Sequence, residues 1–392
     1  MKRRLSLFAL LSVVLAIVVS PAVTHARDIV VGTSVALTGK YARTGQDQLN
    51  GFSMWLEEVN ARGGLLGSKV RLVHYDDESK PETGTKLYEK LITDDKVDLL
   101  IGPYSSAVTK AASTVAEKYN FPMVSSGDSD SEIWGRGYKN IFGLYTPANT
   151  YMDQILEYAK SKGLKRVALV YENTDFPRDV ANGVKARVKA LKMNLVFEEE
   201  YGKASTDFSS MIVKMKSKKP DVVIGGSYLP DSTAFMRQAK ENRFYARMFA
   251  FAVGPGLSDF GQNLGLDAEG VMGNTQWEPT LNIPGAKEFA ERYTKKYGAE
   301  PGYHAGGGYG TGQVLEAAVK KAGSLDKDKI RQALLQLDIT TAFGRYKVDN
   351  TGQQVGKPGY TIQWINGVRQ MVLPESAATA KPVYPFKDWS KR

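Results

Sequence analysis

From Ile29 onward, short apolar runs rich in β-branched residues alternate with longer stretches whose apolar positions recur every three to four residues. The short runs read as buried strands and the long ones as amphipathic helices, so their alternation predicts a mostly parallel sheet flanked by helices. Strands are predicted at 29–35, 70–75, 99–102, 122–125, 166–171, 195–198, 222–225 and 248–253, with helices at 46–60, 82–93, 106–119, 150–162, 179–191, 208–218 and 231–241. In the first helix Leu49, Phe52, Met54, Leu56 and Val59 share a face, and Arg62-Gly63-Gly64 ends it. The strands from 166 onward echo those from 29, which predicts an α/β fold of two doubly wound Rossmann-like lobes. Three more helices, 286–297, 309–321 and 327–337, precede a strand pair, 360–365 and 369–372, around Asn366-Gly367. The polar stretch 374–392 is expected to lie extended on the surface.

Before this pattern, Lys2, Arg3 and Arg4 precede an apolar run from Leu5 to Val19, then Pro21 and the small-residue ending Thr24-His25-Ala26. The run is shorter than the ~20 residues a membrane-spanning helix needs, so residues 1–26 read as a signal peptide cleaved after Ala26. The mature chain is therefore expected to be exported. What remains is too long for one ordinary core and suits two.

The chain has no cysteine, which excludes disulfides, thiolate metal sites and thiol nucleophiles. Its formal charge of +10 raises the question of nucleic acid. The positive residues are spread over helical faces, as at Lys185, Arg187, Lys189 and Lys192, with no nucleic-acid motif beside them, so no nucleic-acid partner is expected.

Catalytic motifs fail one by one. Gly39-Lys40 is too far from Gly32 for a phosphate loop, and Tyr41 stands where Ser or Thr is needed. GGGYGTG at 306–312 lacks the third glycine of a dinucleotide fingerprint and reads as close helix packing. Ser227 is no nucleophile elbow, because Leu229 replaces the second glycine. Outside the leader only His74 and His304 remain, neither in a metal-ligand spacing, so neither metal, cofactor nor enzymatic activity is expected. The polar loops at strand carboxyl ends stand out, above all Gly102-Pro103-Tyr104-Ser105-Ser106 and Ser125-Ser126-Gly127-Asp128-Ser129. Helix N-terminal amides and serine hydroxyls there suit a carboxylate, or else the serines simply cap.

At these residues the chain resembles the leucine/isoleucine/valine-binding family of type I periplasmic solute-binding proteins of ABC importers. The likeness rests on IVVGTSVALTGKYARTGQDQLNGFSMWLEEVNARGGLLG, IGPYSSAVTKAASTVAEKYNFPMVSS, VALVYENTDFPRDVANG, PDVVIGGSYLPD and GYGTGQVLEAAVKKAG, in that order. It implies two lobes joined by three crossovers, 27–146 with 277–350 and 147–276 with 351–392. A solute would bind between them, and the closed form would dock as a monomer on an ABC permease of the inner membrane. Carried over by position, carboxylate contacts fall on Ser105, Ser106, Gly127 and Ser129, with Tyr41 and Tyr104 from the same lobe. Phe176 and Tyr228 face them from the other lobe.

Where the family commonly places an acid against the ligand's ammonium, this chain reads Val253-Gly254-Pro255-Gly256. An ammonium buried without a partner costs several kcal/mol, about the penalty of any unpaired buried ion. Either Asp128, Asp175 or Asp231 substitutes and the ligand is a branched-chain amino acid, or the ligand is an aromatic or branched carboxylate without an amino group. A sensor of the same fold is the alternative to transport.

Overall fold

A computed structural model describes residues 27–391. The leader and its cleavage site lie outside the described residues. The first lobe runs β1 (Ile29–Val35), α1 (Ala42–Ala61), β2 (Val70–Asp76), α2 (Pro81–Thr93), β3 (Leu99–Ile101), α3 (Ser106–Lys118), β4 (Met123–Val124), α4 (Glu132–Gly135) and β5 (Ile141–Phe142). Its sheet is parallel throughout in the order β2-β1-β3-β4-β5. Every residue of β1 is buried, as expected of a central parallel strand covered by helices on both faces.

The chain then builds the second lobe from α5 (Asp153–Ser161), β6 (Arg166–Glu172), α6 (Asp175–Ala190), β7 (Asn194–Tyr201), α7 (Ser209–Ser217), β8 (Val222–Gly226), α8 (Leu229–Glu241), β9 (Met248–Phe251), α9 (Ser258–Leu264) and β10 (Met272–Thr275). Its first five strands take the same order, β7-β6-β8-β9-β10, so the internal echo in the sequence is a repeated topology. The chain returns to the first lobe with α10 (Ala286–Tyr297), α11 (Tyr303–Ala322), α12 (Lys327–Gln336) and the antiparallel pair β11 (Asp338–Thr341) and β12 (Gly344–Lys347). It ends in the second with β13 (Tyr360–Ile365) and β14 (Val368–Leu373), paired antiparallel beyond β10.

Three passages therefore join the sheets, after β5, β10 and β12. The loop before β13 stays with the first sheet, where Gly143 N donates to Gly352 O at 2.8 Å. Phe52, Trp55, Trp277 and Phe289 fill the first lobe's core beside α1 and α11, and Phe208, Phe235, Phe249 and Phe251 fill one side of the second. The tail beyond Pro374 is anchored more firmly than its polarity suggests. Phe386 is buried, its amide donates to Arg247 O at 2.9 Å, and Trp389 Nε1 donates to Phe244 O at 2.6 Å.

Candidate functional site

The carboxyl ends of β1, β3 and β4 in one lobe face those of β6, β8 and β9 in the other, and the loops leaving them meet. This is where open α/β sheets carry ligand sites. In the first lobe Ser105 caps α3, its Oγ accepting from Val108 N at 3.4 Å while its backbone sits at φ 73°. A buried non-glycine residue held in that region is a strained placement of the kind found at binding sites. Ser106 ties this loop to the next, because its Oγ accepts from the amides of Ser129 at 3.2 Å and Asp130 at 3.1 Å. Gly127 is required by contact. A Cβ there would stand 2.7 Å from Tyr104 Cδ2.

Aromatic rings close the rest. Tyr41 meets Tyr104 at 5.5 Å and Tyr228 across the cleft at 4.8 Å. Phe176 packs on Tyr228 at 5.5 Å and on Tyr151 at 5.6 Å, and Tyr151 OH shares a 2.6 Å hydrogen bond with Ser129 Oγ. Together they line a narrow pocket between the lobes. Of the residues singled out in the sequence, Tyr104, Ser105, Ser106, Gly127, Ser129, Phe176 and Tyr228 line it, and Tyr41 backs Tyr104 and Tyr228.

Asp128 does not line it, a correction to its place among the candidate contacts. The chain bends at Ser126 and Gly127, and Gly127 and Ser129 reach the wall while Asp128 is fully buried beside them. Sequence reasoning also missed Tyr145, Tyr151, Val253, Tyr303 and His304 on the wall. Tyr145 and Tyr151 flank the first passage between lobes, and Tyr303 and His304 open α11, so neither pair carries a strand-end signal.

Among the described residues no carboxylate, lysine or arginine lines the cavity. Of the candidate substitutes for an ammonium partner, Asp231 is engaged and Asp175 lies off the wall, while Asp128 is buried between two wall residues with neither carboxylate oxygen hydrogen-bonded. Asp231 caps α8 by accepting from Tyr228 N at 3.1 Å, accepts from Tyr201 OH at 2.7 Å, and lies 3.6 Å from Lys40 Nζ. Asp175 sits outside the wall beside Lys110 at 4.0 Å. Burial pushes Asp128 from 3.8 up to about 7. The folded chain thus holds a proton there that the unfolded chain releases between about pH 4 and 7, and this group's contribution to stability falls as pH rises through that window. Asp128→Asn is expected to melt higher than the parent at pH 8 and level with it near pH 4. Equal differences at both pH values would contradict the assignment.

Beside the cavity, a set of charges locks the lobes. Lys40, before α1, bonds to Glu172 at the end of β6, while Lys203 Nζ in the second lobe reaches back to Ser79 O at 3.1 Å. Arg43 Nε meets Asp259 at 3.2 Å across the same gap. Glu172 is buried, so Lys40→Met leaves its carboxylate without a bonded cation only when the lobes are closed. The variant is expected to weaken ligand binding about tenfold or more, since breaking a buried pair is costly. Small-angle scattering should show a larger radius of gyration without ligand. An unchanged radius and affinity would rule out the lock.

A profile of periplasmic binding proteins matches residues 28–368. Leu/Ile/Val-binding protein homolog 7 of Brucella abortus (strain 2308) is 30% identical over 376 residues, 90% of this chain and 93% of that protein. Among solved structures, the branched-chain amino acid substrate-binding protein LivJ of Streptococcus pneumoniae, in complex with isoleucine, superposes with a TM-score of 0.81 at 23% identity, covering 91% of this chain and 100% of LivJ. A solute-binding protein of an ABC transporter from Rhodopseudomonas palustris BisB5, in complex with 3,4-dihydroxybenzoic acid, gives 0.80 at 24%, covering 93% and 99%.

Proposed function

Since the chain belongs to the periplasmic binding protein family, we propose that it is the exported solute receptor of an ABC importer and that its ligand is a small aromatic carboxylate without an amino group. One observation carries the choice of ligand. The cavity wall combines serine hydroxyls, the N-terminus of α3 and aromatic rings, and among the described residues it has no acid to neutralise an ammonium. The α3 amides and Ser105, Ser106 and Ser129 receive the carboxylate. The rings of Tyr104, Phe176 and Tyr228 cover a flat apolar body. Closure of the lobes over the solute presents the surface that an inner-membrane permease reads, and the leader is removed after Ala26 on export.

Thermal melting of the chain from residue 27 against benzoate, hydroxybenzoates, branched 2-oxo acids and Leu, Ile and Val tests this. A ligand at 100 times its Kd stabilises the folded state by about 2.7 kcal/mol, several degrees for a chain of this size. Aromatic carboxylates are expected to raise the melting temperature and the amino acids to leave it unchanged. The reverse result would return the ligand to the branched-chain amino acids.

A further inference from the structure

His304, in the first turn of α11, stands on the cavity wall and is 2% exposed. Its ring lies against Tyr303 at 4.0 Å and meets Tyr104 edge-on at 5.1 Å, and its Nδ1 has no hydrogen-bond partner in the protein. Buried polar atoms are nearly always paired, because an unmade hydrogen bond there forfeits the full solvation of the group. An orphaned nitrogen on the wall of a ligand cavity therefore points to a partner that arrives with the ligand.

The chemistry of that partner follows from the charge state of the ring. Burial, reinforced by the positive charge of Arg43, lowers the imidazole to about 3. At physiological pH it is neutral, with one N–H donor and one lone pair. The carboxylate of the ligand already has the serines and the α3 amides. A hydroxyl fits the remaining vacancy of function, since it can donate to the lone pair or accept from the N–H.

We propose that His304 is a specificity determinant that hydrogen-bonds a hydroxyl on the ring of the bound carboxylate, so that the receptor selects hydroxylated aromatic carboxylates over unsubstituted ones. This rests on the aromatic-carboxylate reading given above. A site that offers a buried hydrogen bond discriminates strongly against the analogue that cannot make it, because its own polar atom is then left unpaired.

Calorimetric titration of the chain from residue 27, and of its His304→Phe and His304→Gln variants, against benzoate, the three hydroxybenzoate isomers and leucine tests the assignment. In the parent, the best hydroxybenzoate is expected to bind about 10- to 100-fold more tightly than benzoate, the range one buried hydrogen bond supplies. That ratio should collapse toward one in His304→Phe and be partly kept in His304→Gln, whose amide still donates and accepts. Equal binding of benzoate and all hydroxybenzoates by the parent would overturn the role of His304 and leave the carboxylate reading standing. So would a ratio preserved in the Phe variant, or, if that variant does not fold, a Gln variant that loses benzoate and hydroxybenzoate alike. Binding of leucine with no aromatic carboxylate would overturn both.

Discussion

Replacing Ser106 and Ser129 together by alanine is expected to weaken carboxylate binding by at least about 100-fold, two charge-assisted hydrogen bonds at roughly 1.5–3 kcal/mol each. The effect has two sources. Ser106 Oγ accepts from two amides, Ser129 N and Asp130 N, which leaves its single proton for a ligand oxygen. Removing it takes away that donor and unties the loop that carries Gly127 and Ser129. Ser129 Oγ shares its 2.6 Å bond with Tyr151 OH, so its loss also loosens the first passage between the lobes. The double variant is expected to remain folded with a melting temperature lowered by a few degrees, about what two orphaned buried amides cost. Titration of the best ligand and a melting curve check both parts, and unchanged affinity would remove the carboxylate from these loops.

A larger loss of stability is expected from Gly308→Val. Helices α1 and α11 cross with their backbones in contact, and a Cβ at Gly308 would stand 2.3 Å from Gln48 O. On the facing helix a Cβ at Gly51 would stand 2.1 Å from Ala305 O, and one turn along α11 a Cβ at Gly312 would meet Trp55 at 2.2 Å. A main-chain carbonyl inside a helix has no rotamer by which to retreat, so the helices must separate along a core that holds Phe52 and Trp55. Overpacking costs about 1–3 kcal/mol, and a clash against main chain falls at the upper end of that range. The damage should reach the cavity as well, because Gln48 Nε2 donates to Ser126 O and so steadies the serine loop from α1. Thermal melting, with Gly135→Ala as a control at a glycine that has open space around it, measures the difference. A Gly308→Val protein as stable as that control would disprove the close crossing.

The same glycine run shows how far local sequence reaches. GGGYGTG was legible as helix packing, since its spacing fits no nucleotide fingerprint, but nothing in it names α1 as the partner. Some strands were legible to the residue, whereas 195–198 caught only half of β7. The reading of 29–35 coincides with β1 and that of 360–365 with β13, since both segments are rich in β-branched and aromatic residues. Short strands such as β5 and β10 escaped, at two and four residues, because so few positions carry no period. Helix α9 escaped as well, since Ser258–Leu264 places few apolar residues on one face.

By itself, then, the sequence determined the two doubly wound lobes, the serine loops at the ends of β3 and β4, and the aromatic residues of the strand-end loops. Those depend on the order of polar and apolar residues along each segment, which the chain carries explicitly. Tertiary structure alone decided that Tyr145, Tyr151, Tyr303 and His304 join them, that Asp128 is buried beside the wall and not on it, and that Asp231 is spent on α8 and Tyr201. Such facts depend on which segments, distant in sequence, are brought side by side when the two lobes pack, and no local pattern records a distance across a cleft.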